Sequence, residues 1–254
     1  MNSLRSHILS ANTNVRMREK PVLKFLDVQS TDKVLDVGCG LGYFLWKLKK
    51  TGAQLHGIDT SPESVAYVHN HITPHTVVAG CEKIPYPDNT FDKALFCEVI
   101  EHVADTASAI REIRRVLKPG GRLIVTTPAL EGWLATSKLK KLGHHHGGEK
   151  HERDGYRRKE LETLLEQNGF HIIKSSLHMF LFSELMMELT KVVYLTKKKT
   201  FEAQSDLLSV QKSLSFRILN ALLTIFIPLF RLEDLILVPL FKKGHALIVC
   251  AEKS

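Results

Sequence analysis

The run Val34-Leu35-Asp36-Val37-Gly38-Cys39-Gly40-Leu41-Gly42 restricts what this chain can fold into more than any other segment. A short apolar stretch closes on three alternate glycines, and from Gly42 to about Lys50 the apolar residues take helical spacing. Strand, glycine turn and helix in that order bring backbone N–H groups close to a ligand at a helix start. Such a turn alone fits nucleotide-like ligands of several classes. Two details narrow it. The spacing Gly38, Gly40, Gly42 is tighter than the G-x-G-x-x-G of nicotinamide-binding folds. Asp36, two residues ahead of the first glycine, would repel a pyrophosphate but suits a ligand carrying an ammonium and a sulfonium.

Downstream the same alternation repeats. Strands are expected at 55–58, 77–79, 91–97, 122–127, 170–174 and 245–252. Helices are expected near 15–28 with Pro21 as a kink or restart, after the Ser61 cap and Pro62, at 105–117 ahead of the Pro119-Gly120-Gly121 turn, and at 157–168. Strands separated by helices imply βαβ units, a parallel sheet and ligand loops at the carboxyl ends of the strands. Asp59 ends the second strand, where a carboxylate either accepts ribose hydroxyls or caps the helix that follows.

The stretches VLDVGCGLGYF, GIDTS, IPYPDNTFDKALFCEVIEHV and LKPGGRLIVTTP, in order over about 30–130, resemble the successive motifs of class I S-adenosylmethionine-dependent methyltransferases. They are most similar to the branch with quinone-biosynthesis and small-molecule enzymes. The resemblance implies an α/β fold with a Rossmann-like, seven-stranded, mostly parallel sheet and helices on both faces. It also implies roles. Asp36 and the backbone of Gly38, Cys39, Gly40 and Gly42 would hold the methionine end of the cofactor, Asp59 the ribose, Cys81 and Glu82 the adenine. Gly80 departs from the pattern, since relatives often carry an Asp there. Glu98, Glu101 and His102 follow the fourth strand and are candidate catalytic residues, with Glu98 also on the cofactor side. In quinone-biosynthesis O-methyltransferases a similar Glu-x-x-Glu-His binds a divalent metal. Pocket shaping without metal is the favoured reading here. His151 and Tyr156 belong to a segment similar to a His-x-Arg-x-Tyr cover over the acceptor, and either meet the substrate or pin the loop.

Organisation follows from these elements. Residues 1–29 read as an arm and helix, 30–176 with 244–254 as the cofactor-binding domain, and 177–243 as an apolar helical insert before the last strand. The insert carries Lys197–Lys199 and Lys242-Lys243, and fits a lid, a dimer interface or an attachment to an anionic membrane surface. Its longest charge-free apolar run, Ile218–Phe230, is too short to span a bilayer and contains Pro228.

A net charge of +8 favours phosphate, nucleic acid or anionic lipid as a neighbour. No Asn-Pro-Pro-Tyr-like base-handling motif follows the fourth strand, which argues against nucleic acid. Four scattered cysteines and no secretory layout at the start make a cytoplasmic protein, at most peripheral on a membrane, the expectation. The glycine-rich His144-His145-His146 loop has no metal-ligand spacing. The expected activity is methyl transfer to oxygen of a small-molecule or lipid-linked acceptor. A nucleic-acid methyltransferase and a non-catalytic cofactor-binding scaffold are the alternatives.

Overall fold

Alternation of apolar side chains builds a sheet that is covered on both sides. The computed structural model describes residues 13–133, 152–186 and 214–254. In strand β5 (Leu117–Pro128), Leu123 and Val125 enter one core, while Ile124 between them enters the other. The last strand, β7 (Ala246–Lys253), does the same with Leu247, Val249 and Ala251 against Ile248 and Cys250. A period of two buried on both faces needs helices above and below.

Those helices lie on both faces. Helix α1 (Thr13–Leu26), α2 (Tyr43–Leu48) and α3 (Pro62–His71) cover one face through Val22, Leu26, Leu45 and Val68. Helix α4 (Thr106–Val116) and α5 (Arg158–Gln167) cover the other through Ile110, Ile113, Leu161 and Leu165. Local chemistry sets their starts. The Ser61 hydroxyl accepts the Ser64 N–H (3.2 Å) ahead of Pro62, and the Asp105 carboxylate accepts the Ser108 N–H (2.9 Å).

The remaining strands are β1 (Lys33–Val37), β2 (Gln54–Asp59), β3 (Thr76–Val78), β4 (Phe91–Cys97) and β6 (Phe170–His178). The seven strands run in the order β3-β2-β1-β4-β5-β7-β6. All neighbours are parallel except β7, which is antiparallel to β5 and to β6. The sheet is thus the expected seven-stranded, mostly parallel one. The order reverses between β1 and β4, so the carboxyl ends of these two strands flank the crevice where ligands bind in such sheets.

Three details differ from the sequence expectation. The Pro119-Gly120-Gly121 turn lies inside β5 as a bulge: Phe91 pairs with Leu117 and Lys93 with Arg122, and Gly120 absorbs a φ of +72°. Strand β6 continues past residue 174 to His178, because β7 offers it a full-length antiparallel partner ending at His178 and Ala246. Helix α6 (Leu214–Phe241) runs through both Pro228 and Pro239. A proline there loses one helical hydrogen bond. Burial of Ile227 and Phe230 against Met17, Met179 and Ala246 holds the helix to the domain regardless.

The insert is tied down by carboxylates. Asp234 accepts the N–H groups of Met179 (3.0 Å) and Phe180 (2.9 Å). Glu233 accepts those of Phe182 (2.7 Å) and Ser183 (3.3 Å). These donors open the helical segment at 181–186 and have no acceptor within their own turn, so α6 caps it from about fifty residues away. Among the described residues no helix is long and apolar enough to cross a membrane. Residues 187–213, with Lys197–Lys199, lie outside the described residues.

Candidate active site

The loop after β1 has glycine where side chains cannot fit. Gly38 has a φ of +73°, and a Cβ on it would lie 2.4 Å from Val99 Cγ2. Gly42 has a φ of +76°, and its Cβ would lie 2.6 Å from Ile72 Cδ1. Either substitution meets both backbone strain and packed side chains. Nothing lies within 4 Å of the direction a Gly40 Cβ would take, and that open side lines a cavity. The loop is locked to β2, since the Ile58 carbonyl accepts the N–H groups of Gly38 and Cys39 (both 2.9 Å).

Asp59 completes the lock. One carboxylate oxygen accepts the Gly40 N–H (2.8 Å), the other the Ser61 N–H (2.9 Å). The two readings of Asp59 are therefore not exclusive: it organises the loop and the helix start, and it also lines the cavity. Each carboxylate oxygen retains a lone pair for a ligand hydroxyl. Asp36 is different. It is buried at the end of β1, and burial first and the Asp59 charge second push its pKa up to about 7. A buried acid in this condition favours a cationic ligand, which would stabilise its ionised form. Burial first and the Asp36 and Asp59 charges next raise the Cys39 thiol far above its ordinary range, so it stays protonated.

Glu98 divides the site in two. It is a non-glycine residue at φ +56°, a conformation of the kind that clusters at ligand sites. Its N–H donates to the Thr126 carbonyl (2.8 Å), and the Thr126 hydroxyl donates to its carboxylate (3.1 Å). The same carboxylate pairs with Arg18 of α1, whose side chain is 3% exposed. On one side lies a chamber of about 140 Å³ walled by Arg18, Asp36, Tyr43, Cys97 and Thr126. On the other lies a chamber of about 480 Å³ walled by Gly40, Asp59, Thr60, Gly80, Glu82 and His102. Gly38 and Glu98 line both.

Arg18 is the functional residue that the sequence reading missed. Its partners Glu98 and Thr126 lie 80 and 108 residues away. Only the basic residue inside an otherwise apolar face (Val15, Val22) of the leading helix hinted at it.

The wall of the larger chamber at 79–88 is braced from α4. Arg115 donates to the carbonyls of Ile84 and Tyr86 (both 2.9 Å), while Glu112 accepts the Ile84 N–H (3.0 Å). This places Cys81, buried, and Glu82, exposed, on the cavity, with the Cys81 thiol donating to the Glu82 carboxylate (3.5 Å). At Gly80 a Cβ would come within 3.1 Å of the Glu82 carboxylate. The carboxylate near the missing Asp thus comes from Glu82.

The Glu98–His102 segment separates on inspection. His102 lines the larger chamber beside Glu98, Val99 and Val103. Glu101 is 1% exposed and turns inward, where its carboxylate accepts the Thr127 hydroxyl (3.1 Å). Burial, then the Glu98 charge, pushes its pKa upward. Its carbonyl accepts the N–H groups of Glu152 (3.1 Å) and Arg153 (3.2 Å). Among the described residues no three His, Cys, Asp or Glu side chains converge as metal ligands. Tyr156 is fully buried. Its backbone is pinned to the end of β5 by hydrogen bonds with Pro128 and Leu130 (both 3.0 Å), and the Arg153 guanidinium covers its ring at 4.0 Å. That is the place of a loop anchor, away from both chambers. His151 and the His144–His146 run lie outside the described residues.

A doubly covered sheet in this order, with β7 antiparallel and a two-part cavity at the switch point, defines a class I S-adenosylmethionine-dependent methyltransferase fold. Residues 35–125 match the family described as a methyltransferase domain. It is 32% identical over 154 residues to methyltransferase GfsG of Streptomyces halstedii, covering 53% of this chain and 55% of the relative. It is 37% identical over 114 residues to the demethylmenaquinone methyltransferase of Corynebacterium kroppenstedtii, covering 44% and 49%. The chain thus spans about half the length of each. The crystal structure of the [4+2]-cyclase SpnF shares the fold with a TM-score of 0.59 at 19% identity, over 92% of this chain and 79% of that one.

Proposed function

We propose that the chain transfers the methyl group of S-adenosylmethionine to an oxygen of an apolar small-molecule or lipid-associated acceptor. The observation that carries the reading is the two-chambered cavity with Glu98 and Gly38 as its shared wall. It fits a ligand with an amino-acid end and a nucleoside end. In the smaller chamber Arg18 suits the carboxylate and Asp36 the ammonium or sulfonium. In the larger one Asp59 suits the ribose, and Cys81 and Glu82 the adenine.

When bound, that cofactor supplies a carbon activated by its sulfonium, so positioning and exclusion of water dominate the rate. The residues then divide the remaining work. Glu98 and Gly38 hold the junction of the chambers. Glu101 acts as a positioning residue by fixing Thr127 and the backbone of 152–153. His102, on the chamber wall, receives the proton of a hydroxyl acceptor. Exposed apolar residues of the insert, such as Phe182 and Ile236, are suited to an apolar acceptor brought to an anionic membrane surface.

Calorimetry with S-adenosylhomocysteine tests the cofactor half. Asp59→Ala should weaken binding roughly 150-fold or more, the value of losing about two charge-assisted hydrogen bonds, and unchanged affinity would sink the assignment. Labelled methyl transfer into a fractionated extract tests the rest. Label on oxygen in the lipid or small-molecule pool is expected. Label in nucleic acid, or on nitrogen or carbon, would overturn the acceptor assignment. Cofactor binding with no transfer to any pool would leave a scaffold, and the cyclase with this fold makes that arm worth running.

A further inference from the structure

A third cavity, of about 650 Å³, lies across α1 from the cofactor chambers, between α1, the end of β6 and α6. Helix α1 is the party wall. Arg18 faces the small chamber, and its neighbours Met17, Lys20, Pro21 and Lys24 face the third cavity. None of the residues assigned to methyl transfer lines it.

Its lining combines two properties. The floor is apolar, made by Met17, Phe25, Leu177 and Val238. The rim carries six cations, Lys20, Lys24, Arg158, Lys174, Arg231 and Lys242, against one carboxylate, Asp234. That carboxylate is already engaged, both oxygens accepting backbone N–H groups of Met179 and Phe180 with His178 Nδ1 3.7 Å away. The lysine at 174 is held over the Phe25 ring, its Nζ 4.9 Å from the centroid. Two buried polar atoms of residues on this wall, Ser175 Oγ and Arg231 Nε, make no hydrogen bond.

The cavity also has an apolar way out. Leu235 and Pro239 of α6 line it. Beside them on the same helix runs an exposed row, Ile225, Leu229, Leu232, Ile236 and Leu240, each more than half exposed. Their spacing of four, three, four and four places them on one face. A chain leaving the cavity over Leu235 meets this row directly.

We propose that this cavity binds an anionic amphiphile, a phosphate or carboxylate head carrying an alkyl or prenyl chain. The head lies among the cations of the rim. The chain covers the apolar floor and continues along α6. A volume of several hundred Å³ is typical of small-ligand sites. The inference stands apart from the methyl-transfer reading, because the two sites share only the α1 wall.

Calorimetric titration of the whole chain with decyl phosphate, kept at monomeric concentrations, tests it. One-to-one binding is expected, at least about tenfold tighter than for inorganic phosphate, decanol or decyltrimethylammonium. The Lys24→Glu/Lys174→Glu double variant should lose tenfold or more, and Leu235→Trp should block the mouth with similar loss. Both variants should keep the parent melting temperature and affinity for S-adenosylhomocysteine, so a folding defect is recognised. Equal affinity for the cationic amphiphile, or charge reversal without effect, would overturn the proposal. Binding to vesicles of phosphatidylglycerol with none to monomeric decyl phosphate would also overturn it, in favour of a membrane-surface contact.

Discussion

The glycine loop and the insert meet at the same edge of the sheet and are built by opposite means. The loop is local. Its three glycines, its two acids and the Ile58 carbonyl all come from β1, β2 and their turns, within about 25 residues. Its shape is fixed by backbone hydrogen bonds and by space too tight for a Cβ. The insert is held by long-range side-chain contacts: Glu233 and Asp234 cap backbone about fifty residues earlier, and Glu184 meets His245 at 3.3 Å. Its outer face stays apolar and exposed. The glycine loop is therefore fixed by steric exclusion and local hydrogen bonds, while the insert is held by a few side-chain contacts that each join distant residues.

That contrast can be broken most sharply at Gly38. Gly38→Ala forces a Cβ into Val99 at a positive φ. It should cost about 2 kcal/mol or more of stability and abolish measurable cofactor binding. Adding Val99→Ala should restore part of the melting temperature, which calorimetric scanning would show; no recovery would mean that φ strain alone matters. Next in size is Arg18→Met. Removing the partner of Glu98 and the cation of the small chamber should weaken S-adenosylhomocysteine roughly 10- to 100-fold. An unaffected Kd would remove Arg18 from the site.

Asp36 offers a pH test with a defined sign. Its pKa rises from 3.8 in the unfolded chain to about 7 in the free protein. The stability it lends is therefore complete below the unfolded value and is lost as pH climbs through about 7. Asp36→Asn should stabilise the free protein at pH 8, by up to about 4 kcal/mol. The same variant should bind S-adenosylmethionine about tenfold more weakly, and lose the tightening between pH 6 and 8 expected of the parent. Denaturant titrations at both pH values read the first effect, and calorimetry the second. The smallest effect belongs to the insert: Asp234→Ala should cost about 1–2 kcal/mol as a lost cap and leave cofactor affinity within roughly twofold. A larger loss of affinity would show that the two regions are coupled.

The sequence disclosed these regions unequally for the same physical reason. Local rules set the strands, the Ser61 and Asp105 caps and the glycine loop, and each was legible from residue type and spacing. Contacts between distant residues leave no such trace. Arg18 looked like one more charge on an amphipathic helix until Thr126 and Glu98 surrounded it. Glu101 is a candidate catalytic residue beside Glu98 and His102 in the sequence, and its side chain turns inward to Thr127. Tyr156, read as either meeting the substrate or pinning its loop, is fully buried with its backbone paired to Pro128 and Leu130. Pro228 reads only as part of an apolar run too short to span a bilayer, and nothing in its neighbours announces that Ile227 and Phe230, on either side of it, are packed.

The antiparallel β7 carries a further consequence. His178 leaves the sheet and Ala246 re-enters it as a paired couple, so both ends of the insert are stapled to one point of the ligand-binding edge. The segment between them is a closed loop in the topological sense. Its length can change at a cost that grows only with the logarithm of the residues added. Residues can therefore be added or removed between 179 and 245 without breaking the pairing of β6 with β7.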